Sequence, residues 1–188
     1  MKIAIFGGTF DPIHSAHLTV AREAAHQFAL DRVLFIPAAH PPHKTESTIA
    51  SYEDRYRMVA LACAGEPNFE ASRLEEGDRK SYSILTIQRL RATLSPGDEL
   101  YFIIGADAFA EIVSWHRWRD VISETAFIVV TRPGHRYQLP EGARVFRLDT
   151  LALPVSSSEI RQSLASGADS AEVPSNVLAY IRRHGLYR

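Results

Sequence analysis

The sequence holds a single cysteine, Cys63, in 188 residues. One thiol cannot close an intramolecular disulfide or build a cysteine-based zinc site. Long apolar runs are missing too. Ala126-Phe127-Ile128-Val129-Val130 is typical of what is present, far short of the roughly 20 residues that span a bilayer as a helix. No charge of either sign dominates: 21 Lys and Arg stand against 22 Asp and Glu, a net charge of −1. Chains that coat nucleic acid are usually strongly basic, so neither a nucleic-acid nor a membrane partner is expected. Met1-Lys2-Ile3-Ala4-Ile5-Phe6 runs straight into glycines, unlike a secretory signal. With one unpaired thiol, a reducing, cytoplasmic setting is expected. A chain of this length buries about 70% of its unfolded surface and needs no covalent staple.

Histidine is what the sequence does have. Five of its eight, His14, His17, His26, His40 and His43, lie in the first 43 residues, and no carboxylate occurs from Arg32 to Thr45. A local positive field on a neutral chain suits a small anion. Short apolar runs alternate with helical periodicity. Strands are expected at 2–7, 32–36, 69–74, 100–104, 126–131 and 144–148. Helices are expected at 16–29, 51–64, 83–94, 106–113, 157–166 and 174–183. Alternation of this kind predicts an α/β fold, a Rossmann-like parallel sheet with helices on both faces. Residues 1–188 read as a single domain, with about 150–188 as a helical C-terminal subdomain at the sheet's carboxyl edge.

Ligands of such sheets bind at the carboxyl ends of strands. The first strand end reads Gly7-Gly8-Thr9-Phe10-Asp11-Pro12-Ile13-His14-Ser15-Ala16-His17. Two glycines let backbone approach a ligand closely, yet neither the G-x-G-x-x-G nor the GK[ST] spacing is present. His14 and His17, three apart, fall on one side of a helix's first turn, where unpaired N–H groups attract phosphate. Packing, or a zinc site made with Asp11, are the competing readings. The second strand end continues into Pro37-Ala38-Ala39-His40-Pro41-Pro42-His43-Lys44, a proline-stiffened loop with donors at its tip. The third, Gly105-Ala106-Asp107, puts a carboxylate where ribose hydroxyls could bind, or where a helix cap would stand. Both tryptophans, Trp115 and Trp118, follow in a polar stretch. Ser156-Ser157-Ser158-Glu159-Ile160-Arg161 reads as a capped helix start that could also hold an anion.

The first motif, with His17, resembles the signature of the H-x-G-H nucleotidyltransferase superfamily. From Lys2 to Tyr187 the chain is similar to its bacterial nicotinate-nucleotide adenylyltransferases. It departs from them at Ala16, where the family usually has Gly, and at Ser83 and Ser158, where it usually has Thr. The resemblance implies transfer of the AMP part of ATP to nicotinate mononucleotide, giving deamido-NAD and pyrophosphate. Mg²⁺ would travel with ATP, and the protein would supply no metal ligands. It implies catalytic roles for His14, His17, Thr9 and Lys44. ATP would meet Gly7, Gly8, Thr9, Phe10, His14, His17, Gly105, Asp107, Ser156, Ser157 and Arg161. The mononucleotide would meet His43, Lys44, Tyr82, Ser83, Trp115 and Arg132, with Trp115 stacked on the pyridine ring and Trp118 packing the subdomain. Competing readings are a different phosphate acceptor (pantetheine phosphate or the amidated mononucleotide), a non-catalytic nucleotide sensor, and an NAD-linked redox enzyme.

Overall fold

The structure, a computed structural model, describes residues 1–40, 49–77, 80–131, 136–150 and 155–188. Six strands form one sheet: β1 (Lys2–Gly8), β2 (Arg32–Pro37), β3 (Phe69–Ala71), β4 (Glu99–Gly105), β5 (Ala126–Thr131) and β6 (Val145–Asp149). Their order is β3-β2-β1-β4-β5-β6 and every pair is parallel. Strand order reverses between β1 and β4, the point at which such sheets open a crevice for ligands.

The helices are α1 (Ser15–Phe28), α2 (Tyr52–Cys63), α3 (Ser83–Arg91), α4 (Ala106–Ala110), α5 (Trp118–Glu124), α6 (Ser157–Ala165) and α7 (Ser175–His184). Alternation along the strands sorts them into two layers. Ala4, Phe35, Ile103 and Ile128 face a core shared with α1, α2, α6 and α7. Ile3, Ile5, Phe102 and Val129 face a second core shared with α3, α4 and α5. The expected parallel α/β sheet is therefore present.

Four expectations need correcting. The third strand is only three residues, Phe69–Ala71: the Ser72 N–H makes a last bond to the Phe35 carbonyl at 2.9 Å, and the chain turns at residues 74–75. The helix expected over 106–113 breaks after Ala110 and resumes as a 3-10 turn, Ile112–Ser114. Helix α5 was not anticipated. The C-terminal helices put Ile160, Val177 and Ile181 in the core on the α1–α2 face, while Ser157 and Arg161 of α6 reach the residues that follow the carboxyl end of β1. Trp118 packs against the opposite core, away from these helices, with the Arg119 guanidinium over its ring. Among the described residues no helix is long and apolar enough to cross a membrane.

Candidate active site

At the first strand end, Gly8 lies under the Phe10 ring. A Cβ on Gly8 would come within 2.9 Å of that ring, so the tight turn requires glycine there. Phe10 takes a left-handed backbone (φ 51°), which turns its ring inward among Phe6, Phe35 and His17. Its side chain is 2% exposed. An ATP contact by Phe10 would therefore fall to its backbone, since the ring packs inward.

His14 caps α1, and its backbone N–H donates to Nδ1 of His17 at 3.3 Å. An acceptor Nδ1 puts the ring proton of neutral His17 on Nε2. The two rings are 3.8 Å apart between centroids. The free helix end expected here is largely occupied. Ser15 N–H donates to the Glu172 carbonyl at 2.7 Å, and His17 N–H to the His14 carbonyl at 3.0 Å. The Ser15 hydroxyl also bonds the Glu172 carboxylate.

His14 is 4% exposed. Burial lowers its pKa to about 4, against the opposing pull of Glu172. Below the unfolded value of 6.5 the unfolded chain takes up a proton that the folded chain refuses. His14 thus contributes stability that is complete above about pH 6.5 and lost as pH falls toward 4, about 3 kcal/mol in all. His14→Asn keeps a capping side chain but does not titrate. Urea unfolding between pH 7 and 4 should show the wild type losing about 3 kcal/mol more than this variant; parallel pH curves would refute it.

Asp11, 4% exposed, joins distant segments. Its carboxylate accepts from Ile49 N–H (2.8 Å), Ala50 N–H (3.2 Å) and the Tyr187 hydroxyl (2.6 Å). Its carbonyl accepts from Arg161 Nη1 at 2.8 Å. Beside it, Ser157 Oγ donates to the Pro12 carbonyl at 3.1 Å. The Ser156–Arg161 motif is thus docked against the first strand end, with Ser156 as the cap residue of α6. Arg161 is held by Asp11 and by Ser158 Oγ (3.2 Å), so part of its fork is spent on the protein. With its oxygens so engaged, Asp11 is poorly placed to share a metal with His14 and His17. Among the described residues no group of three or more His, Cys, Asp or Glu is arranged to hold a metal ion.

A cavity of about 330 Å³ opens at the switch point. Gly7, Gly8, Thr9 and Gly105 line one part; Tyr82, Ser83 and Trp115 line another. A Cβ on Gly105 would meet nothing within 4 Å, so packing within the protein does not demand glycine there. Trp115 is half-buried, edge-on to Phe102 at 6.1 Å. Asp107 is exposed in the first turn of α4, whose cap is Gly105. His43, Lys44 and Arg132 lie outside the described residues.

Four further residues line the site or stand directly behind it. Glu75 and His116 line the cavity. The His116 ring lies tilted by 33° against Tyr82, 4.4 Å between centroids, and Glu75 accepts from the Thr86 hydroxyl at 2.6 Å. Burial raises the Glu75 pKa, with Thr86 and Ser81 opposing. Glu172 and Arg55 are the others. Only Arg55 leaves a sequence signal: it stands at position 55 of a buried stripe continuing through Met58, Val59, Ala62 and Cys63, where helical periodicity calls for an apolar residue.

Fold and site together define a nucleotidyltransferase. The family model described as cytidylyltransferase-like matches residues 5–163, most of the chain. A curated relative, "Probable nicotinate-nucleotide adenylyltransferase" of Solibacter usitatus, is 62% identical over 187 residues and covers 100% of both chains. A relative of the same name from Thermus thermophilus is 43% identical, again with 100% of both chains covered. The chain belongs to the nicotinate-nucleotide adenylyltransferase family. It shares its fold with the solved Plasmodium falciparum nicotinic acid mononucleotide adenylyltransferase complexed with NaAD. That match has a TM-score of 0.80 at 20% identity, covering 99% of this chain and 97% of the other.

Proposed function

We propose that the chain transfers the AMP part of ATP to nicotinate mononucleotide. An oxygen of the mononucleotide phosphate attacks the α-phosphorus. A new P–O bond forms, the bond to the β-phosphate oxygen breaks, and pyrophosphate leaves. The observation that carries this reading is the single cavity joining Gly7-Gly8-Thr9 and Gly105 to Tyr82, Ser83 and Trp115. A close-approach backbone suits phosphates, and flat aromatic walls suit a pyridine ring.

The protein's task in such a transfer is positioning and charge stabilisation. The Nε2–H of His17 is the best-defined donor, and His14, buried and neutral, stands beside it. Thr9, Ser157 and Arg161 would flank the triphosphate, with Gly105 and Asp107 toward the ribose. His43, Lys44 and Arg132 are proposed for the mononucleotide on sequence alone. Mg²⁺ held by the triphosphate would neutralise its charge. We take residues 1–188 as one catalytic unit with the helices from about 150 as its subdomain; the Arg161–Asp11 and Tyr187–Asp11 bonds support this. A cytoplasmic setting accords with the buried, unpaired Cys63.

One observation favours a second reading, acceptance of the amidated mononucleotide. The Glu75 carboxylate on the cavity wall would repel a nicotinate carboxylate and accept from an amide. Pyrophosphate release from ATP and Mg²⁺, with acid and amide offered in parallel, tests both. A large excess with the acid supports the first reading, comparable rates support the second, and no release with either overturns both.

Trp115→Ala should raise KM for the mononucleotide about tenfold, from loss of about 1.4 kcal/mol of stacking. KM for ATP should change less than threefold. Equal losses would make Trp115 a packing residue.

A further inference from the structure

Among the described residues, Arg55 is the largest fully buried side chain, 1% exposed. A guanidinium stays charged in proteins, and a buried charge is usually compensated by an ion pair. Among the described residues, no carboxylate oxygen lies within ion-pair distance of it. Its Nη1 donates instead to two backbone carbonyls, Thr9 and Ala38, each at 2.8 Å. The groups that bear on its charge are Asp11, Tyr187 and Tyr52, with the Tyr52 ring 5.6 Å from the guanidinium carbon. An apolar side chain in this stripe would usually be at least as favourable for stability.

The two carbonyls explain the placement. Thr9 follows β1 and Ala38 follows β2, and both line the cavity while Arg55 does not. The two strand ends are also bonded directly, Ala38 N–H to the Gly8 carbonyl at 2.9 Å. In a trans peptide the C=O of one residue and the N–H of the next point in opposite directions. Holding the Thr9 and Ala38 carbonyls from behind therefore turns the N–H groups of Phe10 and Ala39 away from Arg55. The buried positive charge reinforces the field on the same side.

We propose that Arg55 is a positioning residue of the transfer reaction: it clamps the ends of β1 and β2 so that peptides 9–10 and 38–39 present their N–H groups to substrate phosphates. The inference rests on the adenylyl-transfer reading. It extends that reading to a side chain that touches no substrate.

The test compares wild type with Arg55→Met, Arg55→Gln and Arg55→Lys. Folding is read by circular dichroism, ATP binding by calorimetry, and kcat by pyrophosphate release. The neutral variants should bind ATP at least tenfold more weakly and lose at least 100-fold in kcat. Arg55→Lys, which keeps charge and donors, should recover both to within tenfold of wild type. A folded neutral variant within threefold of wild type on both readouts overturns the proposal. So does a Lys variant no better than the neutral ones, which would assign the loss to packing shape. Failure of both neutral variants to fold also overturns it, making Arg55 a requirement of the fold. If wild type itself releases no pyrophosphate, the transfer reading fails, and ATP affinity alone still decides the role of Arg55.

Discussion

Replacing His17 by Ala should lower kcat by about 10²- to 10³-fold, the usual cost of removing one donor aimed at transition-state charge. The structure also predicts what that variant keeps. His17 is half-buried, and its Nδ1 caps the His14 N–H. Loss of a capping acceptor costs about 1 kcal/mol, so the sheet and both cores should survive. Steady-state pyrophosphate release and a urea titration check the two halves separately. A turnover within tenfold of wild type would remove His17 from the chemistry. A wholesale loss of folding would make it a packing residue of the Phe6–Phe10–Phe35 cluster.

Gly8→Ala should damage stability and turnover together. The new methyl would stand 2.9 Å from the tip of the Phe10 ring. That ring cannot retreat freely, since Phe6, Phe35 and His17 lie 6.0, 5.8 and 5.1 Å away between centroids. Overpacking of this kind costs about 1–3 kcal/mol. His17 touches the displaced ring, so kcat should fall by at least tenfold. Adding Phe10→Leu shortens the obstacle, and the double variant should be more stable than the sum of the single effects predicts. Strict additivity would show that the Gly8 backbone, rather than the ring beneath it, is what the substitution offends.

The sequence made the regular elements legible wherever burial imposed a pattern. The strand over 126–131 matches β5 residue for residue, because five consecutive apolar residues, Ala126 to Val130, stand between Thr125 and Thr131. The strand over 69–74 was overextended, because a weakly alternating edge carries no comparable signal. Helix α5 was missed because seven residues, Trp118–Glu124, hold too few turns for a period to show. Of the residues that line the cavity, Gly7, Gly8 and Gly105 were singled out from motifs at strand ends, Trp115 from the polar stretch after the third, and Tyr82 through the family resemblance. Asp11 as a junction, Glu75, Glu172 and Tyr187 were not. Their partners are Ile49, Thr86, Ser15 and Asp11, and no local spacing reports a pairing made by the fold. Arg55 was not singled out either, although a charge standing in an apolar stripe is a signal the sequence carries.

The three hydrogen bonds that reach Asp11 and Pro12 from Ser157, Arg161 and Tyr187 span 145, 150 and 176 residues of chain. Loops of that length close at an entropic cost that only a largely formed sheet can offset. The junction of α6 and the C-terminal residues with the first strand end is therefore expected to be among the last parts of the molecule to assemble. In refolding, sheet signal should return before enzymatic activity. Substitutions at Tyr187 or Ser157 should chiefly speed unfolding and leave the folding rate almost unchanged.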